Sequence, residues 1–231
     1  MIRNNTLKTF FTFFITFNTV TYAETQYLSE ESIEDVWTVD VLVIDNQPEG
    51  VIASVNGKIT HGDKLRIKVP TKNSQSCNFG HIFTTFYTTI NNPNISELKD
   101  MVIPATVKDE KVNLKIEKVN LKVIDSVKAM LGDLVFIDLG WNDIESIKRY
   151  FQNREQLTIE LQNGADIKAL DYFDIPKNSF VLDGFNSALD RAKNECLRIV
   201  KENDKIKSEL KITKKSELKI TKYENQTNYI P

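Results

Sequence analysis

Few residues in this chain have both the type and the spacing that chemistry requires. Cys77 and Cys196 are its two cysteines. In an oxidising compartment such a pair reads as a disulfide closing a loop across 119 residues; the alternative is two buried thiols that never meet. The chain-entropy model gives so long a loop on the order of 4–5 kcal/mol, less any native strain. His61, His81 and Asp63 could offer three nitrogen or oxygen ligands to zinc. No HExxH run or closely spaced histidine pair supports this, so both histidines read as turn residues and no metal site is assigned. Gly57-Lys58-Ile59-Thr60-His61-Gly62-Asp63-Lys64 looks like a phosphate loop, but Asp63 stands where the lysine must follow the second glycine and would repel phosphate.

Other catalytic arrangements fare no better. A G-x-S-x-G elbow is missing from the sequence. Cysteine–histidine chemistry conflicts with an inward-facing, paired Cys196. The carboxylate pairs Asp138 and Asp143, and Asp171 and Asp174, receive no acid and base roles. Trp37 and Trp141 read as core or sheet-edge packing and not as a ligand platform. We therefore expect no catalytic residue, no cofactor and no metal. A hydrolase of unassigned type is the weakest of the functional readings.

The elements that must hold these residues come from a chain of 231 residues, 41% hydrophobic and 27% charged, with a formal net charge of −2. That is an ordinary globular composition, long enough for one sizeable core. The balanced charge argues against a nucleic-acid binder, and eight glycines leave little for phosphate-cradling loops. Arg3 and Lys8 precede an apolar block from Phe10 to Val20, and Thr21-Tyr22-Ala23 forms a cleavage site, so residues 1–23 read as a signal peptide. Its removal takes the formal charge from −2 to −4. The block is broken by threonines and is short for a spanning helix, although a retained membrane anchor is the alternative. The mature chain then has no transmembrane helix and is periplasmic or secreted.

Glu24, Glu30, Glu31, Glu34 and Asp35 read as a solvated leader. Strands are expected at Val36–Ile44, Val51–Val55, Leu65–Val69 ended by Pro70, and His81–Ile90, the last central because it carries rings on both faces. The near-copies VNLKIEK and VNLKVID predict two strands, with a bulge or bend between Ile116 and Val119. Ser126–Leu131 is expected as a short helix ended by Gly132, Leu134–Leu139 as a strand, and Asp143–Gln152 as a helix capped by Asp143. Asn163-Gly164 predicts a hairpin between Leu157–Leu161 and Ile167–Leu170, and Asn178–Asp183 a last strand. A helix of about 20 residues then follows Asp183-Gly184, with Phe185, Ala188, Leu189, Ala192, Cys196, Ile199 and Val200 on one face. Gly184 permits a tight, left-handed turn that lets Leu182 and Phe185 both point inward. The repeat KSELKITK at 207–214 and 215–222 reads as a slipped duplication in a tail, 207–231, without fixed structure. The expected whole is a single domain, 24–206, of class α+β and mainly β, with an antiparallel sandwich-like core and one C-terminal amphipathic helix.

Trp37-Thr38-Val39 after the leader, with the late run Phe180-Val181-Leu182-Asp183-Gly184-Phe185 and Ala188-Leu189, resembles the invasion-associated locus B family of small exported bacterial proteins. That family carries cysteines near its early tryptophan, and the residues around Asp40 supply none, so its disulfide arrangement does not transfer. The resemblance implies a periplasmic or secreted β-rich protein without catalytic residues, linked to host-cell entry. From the residues themselves, the first functional reading is an exported, non-enzymatic binding protein with an unidentified protein or envelope partner. It would act through a sheet edge or the lysine-rich faces Lys64–Lys68 and Lys111–Lys122, which suit anionic lipid or polysaccharide. The second reading is a periplasmic carrier of a small molecule or metal, with the aromatics from Phe79 to Tyr87 as a pocket wall.

Overall fold

Leu65, Ile67 and Val69 are fully buried while Lys64, Arg66 and Lys68 stay partly exposed, and the same two-residue period recurs along residues 103–107 and 133–138. The structure, a computed structural model, describes residues 25–33, 36–90, 92, 94–109 and 116–227. The expected signal peptide, 1–23, lies outside them. Among the described residues ten strands form one antiparallel sheet: β1 (Thr25–Ile33), β2 (Trp37–Ile44), β3 (Gln47–Asn56), β4 (Lys64–Pro70), β5 (Phe79–Thr88), β6 (Val102–Asp109), β7 (Ile116–Lys128), β8 (Asp133–Asp143), β9 (Gln156–Leu161) and β10 (Lys177–Val181). Their order is β1-β2-β3-β4-β5-β8-β7-β6-β9-β10. The sequential hairpins β6-β7-β8 with β9 returning beside β6 make a Greek key. Among the described residues two α-helices complete the fold, α1 (Ile144–Phe151) and α2 (Phe185–Thr227). The fold is thus α+β and mainly β.

The sheet curls until its far end meets its own middle. Gly57, just after β3, bridges Phe180 of β10, and the Lys58 amide donates to the Ser179 carbonyl at 2.9 Å. Asp63 pins this seam. Its carboxylate is fully buried and accepts from the Tyr87 amide at 2.5 Å and from Asn178 Nδ2 at 2.6 Å. Burial pushes its carboxyl up to about 6, outweighing the Asn178 hydrogen bond that favours the charged form.

α2 covers the inner face of β2, β3 and β4. Ala188, Leu189, Ala192, Cys196, Ile199 and Val200 share one buried cluster with the inward residues of those strands. Cys196 is bonded to Cys77, in the 3-10 turn Ser76–Asn78 after β4, with Cα atoms 5.8 Å apart. Gly184 has φ 75° and its carbonyl takes the first helical hydrogen bond, from the Ala188 amide at 3.0 Å. Leu182 and Phe185 are both buried as expected, and the Phe185 ring sits edge-on to Trp37 at 5.3 Å and to Phe151 at 4.9 Å. One aromatic cluster therefore joins β2, α1 and α2.

Several expectations are corrected. The acidic leader is strand β1 along residues 25–33, because backbone pairing with β2 does not depend on the side-chain charges that suggested solvent. Strand β6 has no counterpart in the sequence reading, since Pro104 interrupts a short apolar run. The register between β6 and β7 is continuous from Val102↔Lys122 to Lys108↔Ile116, so the bulge expected between Ile116 and Val119 sits at Ile124 instead. Ser126–Lys128 extends β7 rather than starting a helix, and the chain turns with Ala129 N donating to Gly132 O at 2.9 Å. Asn163-Gly164 does not make a hairpin. Asn163 Oδ1 accepts the Ala169 amide at 2.9 Å, tying up a loop that contains a 3-10 turn at Ala169–Asp171, and β9 pairs with the more distant β10. Finally, α2 spans 43 residues, so the backbone of the 207–222 repeat, expected to lack structure, continues the helix beyond the apolar stripe.

Candidate functional site

The face of the sheet opposite α2 is built from registers that line side chains into rows. One row runs Asp40, Ile52, Lys68, His81, Trp141 across β2, β3, β4, β5 and β8; the next runs Thr38, Ser54, Arg66, Phe83, Asp138, Lys122 and reaches β7. Residues directly opposite in an antiparallel pair share a face. Two lysine-bearing segments expected to be wet, Lys64–Lys68 and the part of Lys111–Lys122 within β7, thus lie on one face with an aromatic strip between them. Residues 111–115 lie outside the described residues.

The strip has defined geometry. The His81 and Trp141 rings stack with centroids 4.5 Å apart and planes 4° from parallel. Phe83 is 5.3 Å from His81 and 6.4 Å from Phe136, and the Arg66 guanidinium sits 5.9 Å above the Phe83 ring. Asp138 Oδ1 lies 2.9 Å from His81 Nε2 and accepts the Gly140 amide at 2.7 Å, which fixes the imidazole under the indole. Trp141 is 56% exposed and Phe79, at the end of the strip, 49%. Trp37 is fully buried as core, and Trp141 takes the sheet-edge alternative: it lies where β8 has lost β7, stacked on a hydrogen-bonded histidine.

Beside Asp138 the sheet splits. The β7–β8 ladder begins at Lys128↔Asp133 and stops at Lys122↔Asp138; beyond it β7 stays paired to β6 alone, and β8 to β5 alone. The cause is local. Leu139 is an extra residue on β8, Ile124 an extra residue on β7, and Gly140 follows with φ 106°. A bulge bends its strand and raises its twist, and two bulges on neighbouring strands drive them apart. The wedge is a cavity of about 570 Å³, floored by Ile82, Val107, Ile147, Phe151 and Leu157 and rimmed by Asn120, Lys122, Asp138, Asn142 and Ser146. Helix α1 roofs it. Asp143 caps that helix by accepting the Ser146 amide at 2.8 Å, and hydrogen bonding to Ser146 holds its carboxyl below the usual carboxylate range.

The structure does not bring the sequence-level candidates for chemistry together. Asp63 is buried in the seam, His61 is exposed on the loop beside it, and His81 lies on the outer strip. Among the described residues no group of three metal-ligating side chains converges. The expected wall from Phe79 to Tyr87 does not line the cavity, except through Ile82: Phe79 and Phe83 face outward, and Phe86 points inward, 6.0 Å from Phe173. Asp138, which received no acid or base role, lies in a strand as expected for Leu134–Leu139, and it joins strip to wedge. Only its pairing partners reveal that. Among the described residues no helix is long and apolar enough to cross a membrane. No protein-family model, curated protein or solved structure matches this chain.

Proposed function

We propose that the chain is an exported, non-enzymatic binding protein whose recognition surface is the outer strip of β4, β5 and β8, and that its ligand is an anionic polysaccharide. The observation that carries this reading is the row Lys68, His81, Trp141, with Arg66 and Phe83 beside it. An exposed indole offers a flat apolar surface for the C–H face of a sugar ring. The cations of β4, two strands away, supply long-range attraction for carboxylate or sulfate groups. A disulfide between Cys77 and Cys196 suits an oxidising compartment, and so supports export.

Titration with polygalacturonate, with neutral dextran as control, tests the reading. Binding to the anionic polymer should weaken as salt rises, because exposed charges are screened over about 10 Å at 0.1 M, and both Trp141→Ala and Lys68→Glu should abolish it. Equal retention of dextran would contradict the reading, as would capture by anionic vesicles in place of the glycan.

A further inference from the structure

We infer that the wedge between β7 and β8 is a binding site for a small amphiphile with an apolar body and an uncharged, hydrogen-bonding head. Its volume, about 570 Å³, falls among those of small-molecule sites. Its depth is wholly apolar: Ile147, Phe151 and Leu157 are buried and belong to the main core cluster, so a charged group placed among them would lose its hydration without compensation. The polar groups are confined to the rim, and they are of two kinds.

The charged rim groups are already answered inside the protein. Lys122 Nζ is 2.6 Å from Asp100, whose carboxylate holds the lysine above its usual range, and Asp138 is engaged by His81 and the Gly140 amide. Of the neutral rim groups, the Ser146 hydroxyl accepts from Arg149 at 2.9 Å, and the two asparagines are uncommitted. Among the described residues the Asn120 and Asn142 side chains have no hydrogen-bond partner, and both are exposed at the mouth. Each offers two donors and an acceptor. Between them the parted edges, residues 116–121 of β7 and 139–142 of β8, have a sheet neighbour on one side only, so main-chain donors and acceptors also face the mouth. A head bearing hydroxyl or amide groups matches this rim, whereas a carboxylate or ammonium head finds no opposite charge left to pair with.

The site does not depend on the polysaccharide reading, because neither Trp141 nor Lys68 lines the wedge. The test titrates the full chain with monodecanoylglycerol by calorimetry, with decanoate as the charged counterpart of equal tail length. Saturable one-to-one binding of the glyceride, with decanoate about tenfold weaker or more, is the expected result. Asn142→Trp and Asn120→Trp fill the mouth from exposed positions and should each weaken binding about tenfold or more while leaving the unfolding midpoint unchanged. The isosteric Asn142→Asp, which adds only a charge, should weaken it several-fold and keeps the test open if a tryptophan variant fails to fold. No saturable binding by the wild type, equal affinity for decanoate, or unaltered binding by the rim variants would each overturn the inference. Loss of glycan binding in Trp141→Ala with glyceride binding intact separates the two sites.

Discussion

Two neighbouring pairs of strands treat the same problem in opposite ways. β3 and β4 pair without interruption from Gly50↔Pro70 to Asn56↔Lys64, and their inner face is closed by α2 and stapled through Cys196. β7 and β8 start as a regular hairpin, then each takes an extra residue and they part, leaving apolar side chains at the bottom of an open wedge. The β3–β4 region has the signs of a stability element: a continuous ladder, a buried inner face and a covalent tie. In the β7–β8 region the same sheet gives up backbone pairing at one end and gains a concave surface. Bulges tolerated there would be costly under α2, where a one-residue slip would put Ile52 and the polar Ser54 in the places of Val51, Ala53 and Val55.

The contrast can be broken at its strongest point first. Replacing both Cys77 and Cys196 by alanine should lower the unfolding free energy by on the order of 4 kcal/mol, read from urea titrations; a loss below about 1 kcal/mol would mean that packing of α2 alone closes that half. The buried seam comes next. The Asp63 carboxyl ionises near 3.8 when unfolded and at about 6 in the fold. Between those values the folded state keeps a proton that the unfolded chain has lost, so stability falls as pH rises, by about 3 kcal/mol at most. Below both values the two states are equally protonated, and above both equally ionised, so the slope is confined to that window. Asp63→Asn cannot titrate, and the stability of the wild type relative to the variant should therefore fall from about pH 4 to about pH 6; a constant difference would assign the acid-range slope to other carboxylates.

A smaller effect is expected at the turn into α2. Gly184→Val forces a β-branched side chain to φ 75° and should cost more than about 1 kcal/mol, seen as a lowered melting midpoint. The smallest belongs to the outer strip, where Trp141→Ala removes a ring that is mostly in water. Its stability cost should stay within about 0.5 kcal/mol, which would sharpen the distinction between a face built for contact and a core built for cohesion.

How much of this could be read in the residues follows from the range of the interaction involved. Periodicity made β4, β5, α1 and the apolar face of α2 legible, because each is decided by neighbours two to four positions away. The Cys77–Cys196 pairing was legible by counting, since there was one possible partner for each sulfur. β1 was hidden by its acidic residues and β6 by Pro104, and the Asn163-Gly164 signal misled because Asn163 spends its side chain on the Ala169 amide rather than on a hairpin. The candidate sites were least legible. Trp141, His81, Lys68 and Asp138 come from three strands, and they share a face only once β8 lies next to β5, across the intervening hairpins.

By itself the sequence determined the mainly β class, the inward stripe of α2, the disulfide and the left-handed turn at Gly184, all of which rest on local geometry or on counting. Tertiary structure alone decided which lysines share a face with which rings, and where the sheet opens. Strand order and bulge position are settled by competition among distant ladders with nearly equal local preferences, and one residue of slip reverses every side chain.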